Sequence, residues 1–254
     1  MKSTIFVIIT AICLGVGKYS ASAQVKRDTV KVLFVGNSYT YVENLPQIVS
    51  ILSDGSKTKL ITRKSTLGGA KLSEHWKGER GLKSKEIIQN RNFDIVVLQE
   101  HSMGTLVEKD SVKKYEKLFC DFIREHGAKP YIYLTWAREN APQNQDIINK
   151  VFTEVGSENK AEVVPAGKAW ALARQWRPEI KMYDADGSHP SKFGAFLTAC
   201  VFAKSILHEL PSRIPNTFKI QDINNESVLL MSVDSANVSF CRKVVEQIAS
   251  EEIK

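Results

Sequence analysis

The amino-acid sequence predicts an α/β fold: a five-stranded parallel sheet sandwiched between two layers of helices. Five short runs rich in β-branched and other apolar residues are marked by turn signals, and helical patterns lie between them. Three of the five runs are nearly continuous apolar stretches, as expected for strands that helices cover on both faces. This alternation of strand and helix is typical of a three-layer α/β/α sandwich.

The five predicted strands follow one another at intervals long enough for a helical crossover between each pair. In chain order they are residues 30–35, 59–63, 93–98, 130–134 and 161–165. The first, third and fourth are the most continuously apolar. We therefore expect helices to cover both faces of these three strands.

Three of the intervening segments have clear helical periodicity. Leu45, Ile48, Val49 and Leu52 recur with the i, i+3, i+4, i+7 spacing of one helix face. A second apolar stripe runs over residues 112–122 and ends before Gly127, a natural helix C-cap. A third helix is predicted over residues 195–207 and is apolar on most of its surface.

The first 23 residues have the composition of a cleavable signal peptide. Lys2 precedes an apolar run of about a dozen residues, and the small-residue stretch that follows ends at Ala23. The run is too short for a membrane span, which needs roughly 20 apolar residues. Cys13 lies in a poor lipoprotein context, so we expect a soluble exported protein, periplasmic or secreted, without a membrane span.

The remaining chain suits one domain with a short appendage. We assign residues 24–210 to the main domain, because Pro211 and Pro215 bracket a break after the last core helix. Residues 211–254 contain a strand-like run at 228–233 and a helical pattern at 238–248. We expect this appendage to pack on the main domain.

Charge and cysteine content argue against a nucleic-acid-binding protein and against a metalloprotein. The formal charge of +7 becomes +5 without Lys2 and Lys18, and the basic residues are dispersed with no nucleic-acid-binding motif among them. We therefore expect no nucleic-acid partner. Cys120, Cys200 and Cys241 read as packing residues, with one disulfide left open. No metal-ligand spacing occurs, and we expect no metal and no cofactor.

Candidate reactive residues follow the predicted strands, where ligands bind in open parallel sheets. After the first strand, Gly36 permits a tight turn that presents Ser38 at the start of a helix; Ser38 read alone could equally be a helix N-cap. After the second strand, Gly68 and Gly69 allow a backbone N–H to approach a ligand, or form an ordinary turn.

Two further polar segments complete the predicted site. Gln99 and His101 follow the third strand, and the Gln99 amide could donate to an oxyanion or merely cap a loop. Asp186 stands three residues before His189, across a glycine. Its carboxylate can bend back to the imidazole and leave the other ring nitrogen for a serine proton, as a catalytic triad requires.

The four segments, in this order, resemble the blocks of the SGNH (GDSL-like) hydrolases, an exported bacterial branch of which carries similar motifs. The resemblance covers residues 30–207 and rests chiefly on the Asp-x-x-His block at Asp186 and His189. It implies a flavodoxin-like SGNH fold and a catalytic triad of Ser38, His189 and Asp186. It also implies an oxyanion hole of the Ser38 and Gly69 (or Gly68) N–H groups. Gln99 stands where the family commonly has asparagine.

The resemblance implies a serine esterase that removes acetyl or other short acyl groups from a small-molecule or glycan ester. Trp76 and Trp136 follow the second and fourth strands, where indole rings could stack on a sugar, and His101 is a further candidate contact. Two alternatives stay open. One is a catalytically weak glycan-binding protein on the same scaffold; the other is a flavodoxin-like cofactor protein, which the missing glycine-rich phosphate loop disfavours.

Overall fold

The fold was analysed in a computed structural model, which describes residues 28–251. The signal peptide predicted at residues 1–23 lies outside the described residues. Five parallel strands form one sheet in the order β2-β1-β3-β4-β5. Their ranges are β1 Asp28–Gly36, β2 Thr58–Thr66, β3 Ile95–Leu98, β4 Lys129–Tyr133 and β5 Glu162–Val164. The five predicted strands and their parallel arrangement are confirmed.

Helices connect the strands and cover both faces of the sheet. In chain order they are α1 Ser38–Tyr41, α2 Leu45–Leu52, α3 Leu72–Lys77, α4 Ser84–Asn90, α5 Gly104–Val107, α6 Lys109–Glu125, α7 Gln145–Glu158, α8 Ala166–Trp176, α9 Lys192–Leu207 and α10 Ser235–Glu251. The helices predicted from the periodic stripes correspond to α2, α6 and α9. No helix within residues 28–251 combines the length and apolarity needed to cross a membrane.

Alternation along the central strand β1 builds the two core layers. Val32 and Phe34 face one layer, where α2, α8, α9 and α10 pack, and Leu33 and Val35 face the other, where α3, α4 and α6 pack. Because both faces are covered, all four side chains are fully buried. A further buried cluster lies between β4 and helices α6 and α7, and it extends the layer of Leu33 and Val35 along the sheet.

Strand β2 is longer than the sequence indicated, with nine residues instead of five. Each of its residues pairs with β1, from Asp28 opposite Thr58 to Gly36 opposite Thr66. Only Leu60 and Ser65 of β2 are buried, because it is an edge strand with its outer side open. Its polar residues give little apolar signal, so pairing with β1 sets its length.

The segment after residue 210 forms an antiparallel hairpin, β6 Thr217–Gln221 and β7 Ser227–Ser232, followed by α10. Phe218 and Met231 of the hairpin and Val244 of α10 belong to the same buried cluster as Phe202 of α9. The segment thus shares the core of the main sheet. The boundary at residue 210 stays a prediction.

Cys120, Cys200 and Cys241 are buried free thiols. Each lies on a core-facing side of a helix, α6, α9 and α10 respectively. Their packing role follows from this burial.

Candidate active site

The turn after β1 presents Ser38 at the carboxyl edge of the sheet. Asn37 shapes this turn with both ends of its side chain: its Oδ1 accepts a hydrogen bond from the Tyr39 N–H at 3.1 Å, and its Nδ2 donates to the Ala70 carbonyl at 2.9 Å. Asn37 is buried, so these bonds are shielded from water. They fix the position of Ser38 and tie its turn to the loop that follows β2.

The loop before α9 carries Asp186 and His189. Gly187 has a left-handed backbone conformation (φ 64°), which turns the chain back on itself. The N–H groups of Ser188 and His189 therefore both donate to Asp186 Oδ1, each at 2.9 Å. The other carboxylate oxygen bonds His189 Nδ1. This hydrogen bond, aided by the backbone N–H groups, lowers the pKa of Asp186 to about 2.

Tertiary folding brings this loop against the nucleophile turn. His189 Nε2 lies 2.8 Å from Ser38 Oγ, although the two residues are 151 positions apart in the sequence. With Nδ1–H held by the Asp186 carboxylate, Nε2 of the neutral imidazole is free to accept the Ser38 proton. The side chains of His189 and Asp186 are 34% and 49% exposed, so the arrangement opens directly to solvent.

The two glycines after β2 lie beside Ser38. The Ala70 N–H donates to the Leu67 carbonyl at 3.0 Å and closes a turn in which Gly69 is left-handed (φ 67°). Within residues 28–251, the hydrogen bonds found for this region use neither the Gly69 N–H nor the Ser38 N–H. Within that part of the chain, neither N–H group is therefore engaged by a protein acceptor.

The expected oxyanion role of Gln99 is wrong. Gln99 Oε1 accepts from the Asn37 N–H at 2.8 Å and from the Thr40 hydroxyl at 3.0 Å, and its amide nitrogen donates to the Glu100 carbonyl. The side chain is fully buried. Because it turns inward to satisfy the nucleophile turn, Gln99 cannot reach a ligand at the surface.

His75 also supports the nucleophile turn, and the sequence analysis missed it. Its Nε2 bonds the Gly36 carbonyl at 2.9 Å, and its Nδ1 bonds Ser84 Oγ at 2.6 Å. Burial lowers the pKa of this imidazole, which favours the neutral form. A lone histidine on a helix carries no local signal for this contact, because its partner lies 39 residues away.

Trp136 was expected to stack on a sugar, and this expectation is wrong. The residue is 1% exposed, and its ring stacks on Trp170 at 3.7 Å and on Tyr39 at 4.8 Å between centroids. Its Nε1–H donates to the Ser188 carbonyl at 3.0 Å. Trp136 therefore supports the loop that holds His189 from within the core.

Trp76 is not brought to the site either. Its ring packs edge-on against Phe119 and Phe122 of α6, with the Lys85 ammonium 4.4 Å from the ring centroid. Helix α3 follows the edge strand β2 and packs against the sheet face that carries Leu33 and Val35. The sugar-stacking role predicted for Trp76 finds no support in this position.

His101 is half-buried at the carboxyl edge of the sheet. Burial, together with the positive charges of Lys71 and Arg138, lowers its pKa. Its Nδ1 accepts from the Met103 N–H at 3.3 Å. Its predicted contact with substrate stays a prediction.

Residues 28–251 contain no group of three or more histidine, cysteine, aspartate or glutamate side chains arranged to hold a metal ion.

Several solved structures share this fold. A protein from Slackia heliotrinireducens assigned to the SGNH hydrolases is 25% identical, with a TM-score of 0.60 over 70% of this chain and 100% of that chain. A DUF4886 family protein from Bacteroides uniformis ATCC 8492 is 18% identical, with a TM-score of 0.71 over 89% and 97%. The chain shares the fold of the SGNH hydrolases.

An acetyl xylan esterase has the same fold, with 17% identity and a TM-score of 0.56 over 70% of this chain and 100% of that chain. Neither a protein-family model nor a curated protein matches the sequence. In this chain, Ser38, His189 and Asp186 lie at the carboxyl edge of the sheet, the edge at which α/β proteins bind their ligands.

Proposed function

We propose that this protein is a serine esterase that removes acetyl or other short acyl groups from carbohydrates through an acyl-enzyme intermediate. The observation that carries the proposal is the contact of His189 Nε2 with Ser38 Oγ at 2.8 Å, with Asp186 on the opposite ring nitrogen. This is the geometry that turns a weakly nucleophilic hydroxyl into an attacking group.

The proposed reaction has two steps. His189 takes the Ser38 proton as Ser38 Oγ attacks the ester carbonyl, and it then delivers that proton to the departing alcohol. Water, deprotonated by His189 in turn, attacks the acyl-enzyme and releases the carboxylic acid. The ionised Asp186 stabilises the imidazolium that forms in each step.

The N–H groups of Ser38 and Gly69 are the proposed oxyanion donors. The Asn37 side chain links the two segments by its bond to Ala70, so their relative position is set before substrate arrives. Fixed donors need no reorganisation as negative charge develops on the carbonyl oxygen, and one such donor contributes about 100- to 1,000-fold in turnover. Gln99 is not part of this hole.

The choice of a short acyl group rests on the surroundings of Ser38. Polar groups line the approach: the Tyr39 hydroxyl bonds Ser188 Oγ at 2.7 Å, and Ser102 and Arg138 lie beside them. A long acyl chain would need an apolar channel in place of these groups. The acetyl xylan esterase among the similar structures supports a carbohydrate as the alcohol part.

The test is hydrolysis of 4-nitrophenyl acetate by the wild-type protein and by Ser38→Ala. Ser227→Ala, an exposed serine on the hairpin, is the matched control. We expect turnover in the wild type and control and background rates in Ser38→Ala, with all three equally folded by circular dichroism. A phosphonate ester probe should label Ser38, identified by peptide mass. Equal rates in Ser38→Ala and wild type would refute the assignment.

Substrate class is tested by acetate release from acetylated glycans compared with esters of eight or more carbons. We expect the wild type to favour acetate esters. A preference for the long acyl chains would refute the carbohydrate assignment while leaving the esterase intact. Glycan binding with no ester turnover would instead support the binding-protein alternative.

A further inference from the structure

Arg138 carries a positive charge next to the candidate triad that no carboxylate neutralises by contact. It follows β4, and its Nη2 donates to Ser102 Oγ at 3.3 Å across the edge of the sheet. None of the ion pairs found among residues 28–251 involves Arg138. Its side chain is exposed, so the guanidinium is open to a ligand.

A short series of contacts joins this guanidinium to His189. Ser102, its hydrogen-bond partner, also lies beside the Tyr39 hydroxyl. That hydroxyl bonds Ser188 Oγ at 2.7 Å, and the Tyr39 ring centroid is 5.7 Å from that of His189. Burial raises the pKa of Tyr39, and the charge of Arg138 opposes that rise. Burial lowers the pKa of His101, and the charges of Lys71 and Arg138 add to the fall. Arg138 is therefore linked through Ser102 and Tyr39 to the loop that carries His189.

The acidic groups around this point are engaged elsewhere. Asp186 bonds His189, and Glu108 pairs with Lys71. Glu100 is buried, and its carboxyl oxygen accepts hydrogen bonds from the N–H groups of Leu72 and His101.

Glu139, the residue next to Arg138, contacts the loop that carries Asp186 and His189. Its backbone N–H donates to the Gly187 carbonyl at 2.9 Å, and its side chain lies over Gly187. The positive field at Ser102 and His101 is thus not cancelled by a local contact.

We propose that Arg138, together with Ser102 and His101, binds a carboxylate on the substrate, so that the preferred ester is carried by an acidic sugar. The guanidinium fork matches a carboxylate in two parallel hydrogen bonds. The Ser102 hydroxyl and a ring nitrogen of His101 supply neutral hydrogen-bonding partners around it. This inference rests on the proposed esterase function, since it names the alcohol part of that ester.

The experiment compares two acetylated sugars that differ only in charge: an O-acetylated methyl glucuronoside and its uncharged glucuronamide. We expect the wild type to favour the acid about tenfold in kcat/KM, equivalent to about 1.4 kcal/mol. The preference should shrink with added salt, because the pair is exposed.

Arg138→Gln should bring the ratio of the two kcat/KM values close to one, and Arg138→Lys should keep part of the preference. Arg91→Gln is the matched control, because Arg91 is exposed just before β3, at the amino-terminal ends of the strands and so away from the site. The ratio should be unaffected by this substitution. A wild-type ratio of one, or a ratio that survives Arg138→Gln, would overturn the inference.

A binding measurement separates this inference from the proposed reaction. Calorimetric titration of Ser38→Ala with the same two sugars should again show tighter binding of the acid, and Ser38→Ala/Arg138→Gln should lose the difference. If 4-nitrophenyl acetate is hydrolysed but the two sugars bind equally, the carboxylate subsite fails and the esterase stands. If nothing is hydrolysed yet the acid binds more tightly through Arg138, the esterase fails and the subsite stands.

Discussion

Glu116 gives the most quantitative prediction, because its carboxyl group lies inside the fold without a partner. It belongs to α6, is fully buried, and neither carboxylate oxygen finds a hydrogen-bond partner within residues 28–251. Burial, together with the nearby Glu100, raises the pKa of Glu116 well above the ordinary value of 4.5. The folded protein therefore keeps this proton at pH values where the unfolded chain releases it.

Proton linkage determines whether the free energy of unfolding rises or falls with pH. Between pH 4.5 and the folded-state pKa, the native state binds more protons than the unfolded state, so the free energy of unfolding falls as pH rises. For a proton kept in the native state the slope approaches about 1.4 kcal/mol per pH unit. Glu116→Gln has no proton to lose and removes this slope.

Urea denaturation at pH 5, 6 and 7 measures the effect. The stability of Glu116→Gln relative to wild type should rise from pH 5 to pH 7, with a slope of at most about 1.4 kcal/mol per pH unit. The difference between pH values is the readout, because the cost of burying the new amide is nearly independent of pH. Glu125→Gln, an exposed substitution on the same helix, should parallel wild type. Parallel curves for Glu116→Gln as well would refute the argument.

Three further substitutions test the site. Asp186→Asn should lower kcat by on the order of 10,000-fold, because the amide no longer fixes the proton on His189 Nδ1; ester turnover measures it. Gln99→Met should destabilise the fold by about 1–3 kcal/mol in urea, since the buried Asn37 N–H loses its acceptor. Trp136→Phe removes the hydrogen bond to the Ser188 carbonyl, so the free energy of unfolding should fall by about 1 kcal/mol. A lower melting temperature measures this loss, and KM for a glycan should not change.

Each of these three has an outcome that would contradict it. Asp184→Asn is the control for Asp186, because the Asp184 side chain lies in the same loop and, among the hydrogen bonds of residues 28–251, accepts only from the Ala185 N–H. It should retain activity, and equal losses in both variants would point to loop damage. A fall of 100-fold or more in kcat for Gln99→Met at unchanged stability would restore Gln99 as an oxyanion donor. A raised KM for glycans in Trp136→Phe at unchanged stability would restore its sugar-binding role.

Local patterns in the sequence predicted the sheet and paired two of the three candidate triad residues. The apolar runs of β1, β3 and β4 were recognisable because buried parallel strands exclude polar residues from both faces. Asp186 and His189 were recognisable as a pair because only three residues separate them. Edge strand β2 was found but cut short, since its polar residues are placed by pairing with β1.

The orientation of side chains at the strand ends was not readable in the same way. Gln99 and Trp136 both follow a buried strand, and the sequence analysis placed both facing a ligand. Once a strand ends, the alternation of its faces no longer applies, so direction depends on which neighbour satisfies each polar group. Gln99 turned to the Asn37 N–H, and Trp136 turned to Trp170 and the Ser188 carbonyl.

The sequence by itself determined the fold class, the order of the strands along the chain and the reactive residues at their ends, because hydrophobic periodicity and turn chemistry act over a few residues. Only the tertiary structure decided that Ser38 meets His189 across 151 positions, that Gln99 and Trp136 support the site from the core, and that Arg138 bonds Ser102. These outcomes depend on long-range packing and on the pairing of buried polar groups, which no local pattern encodes.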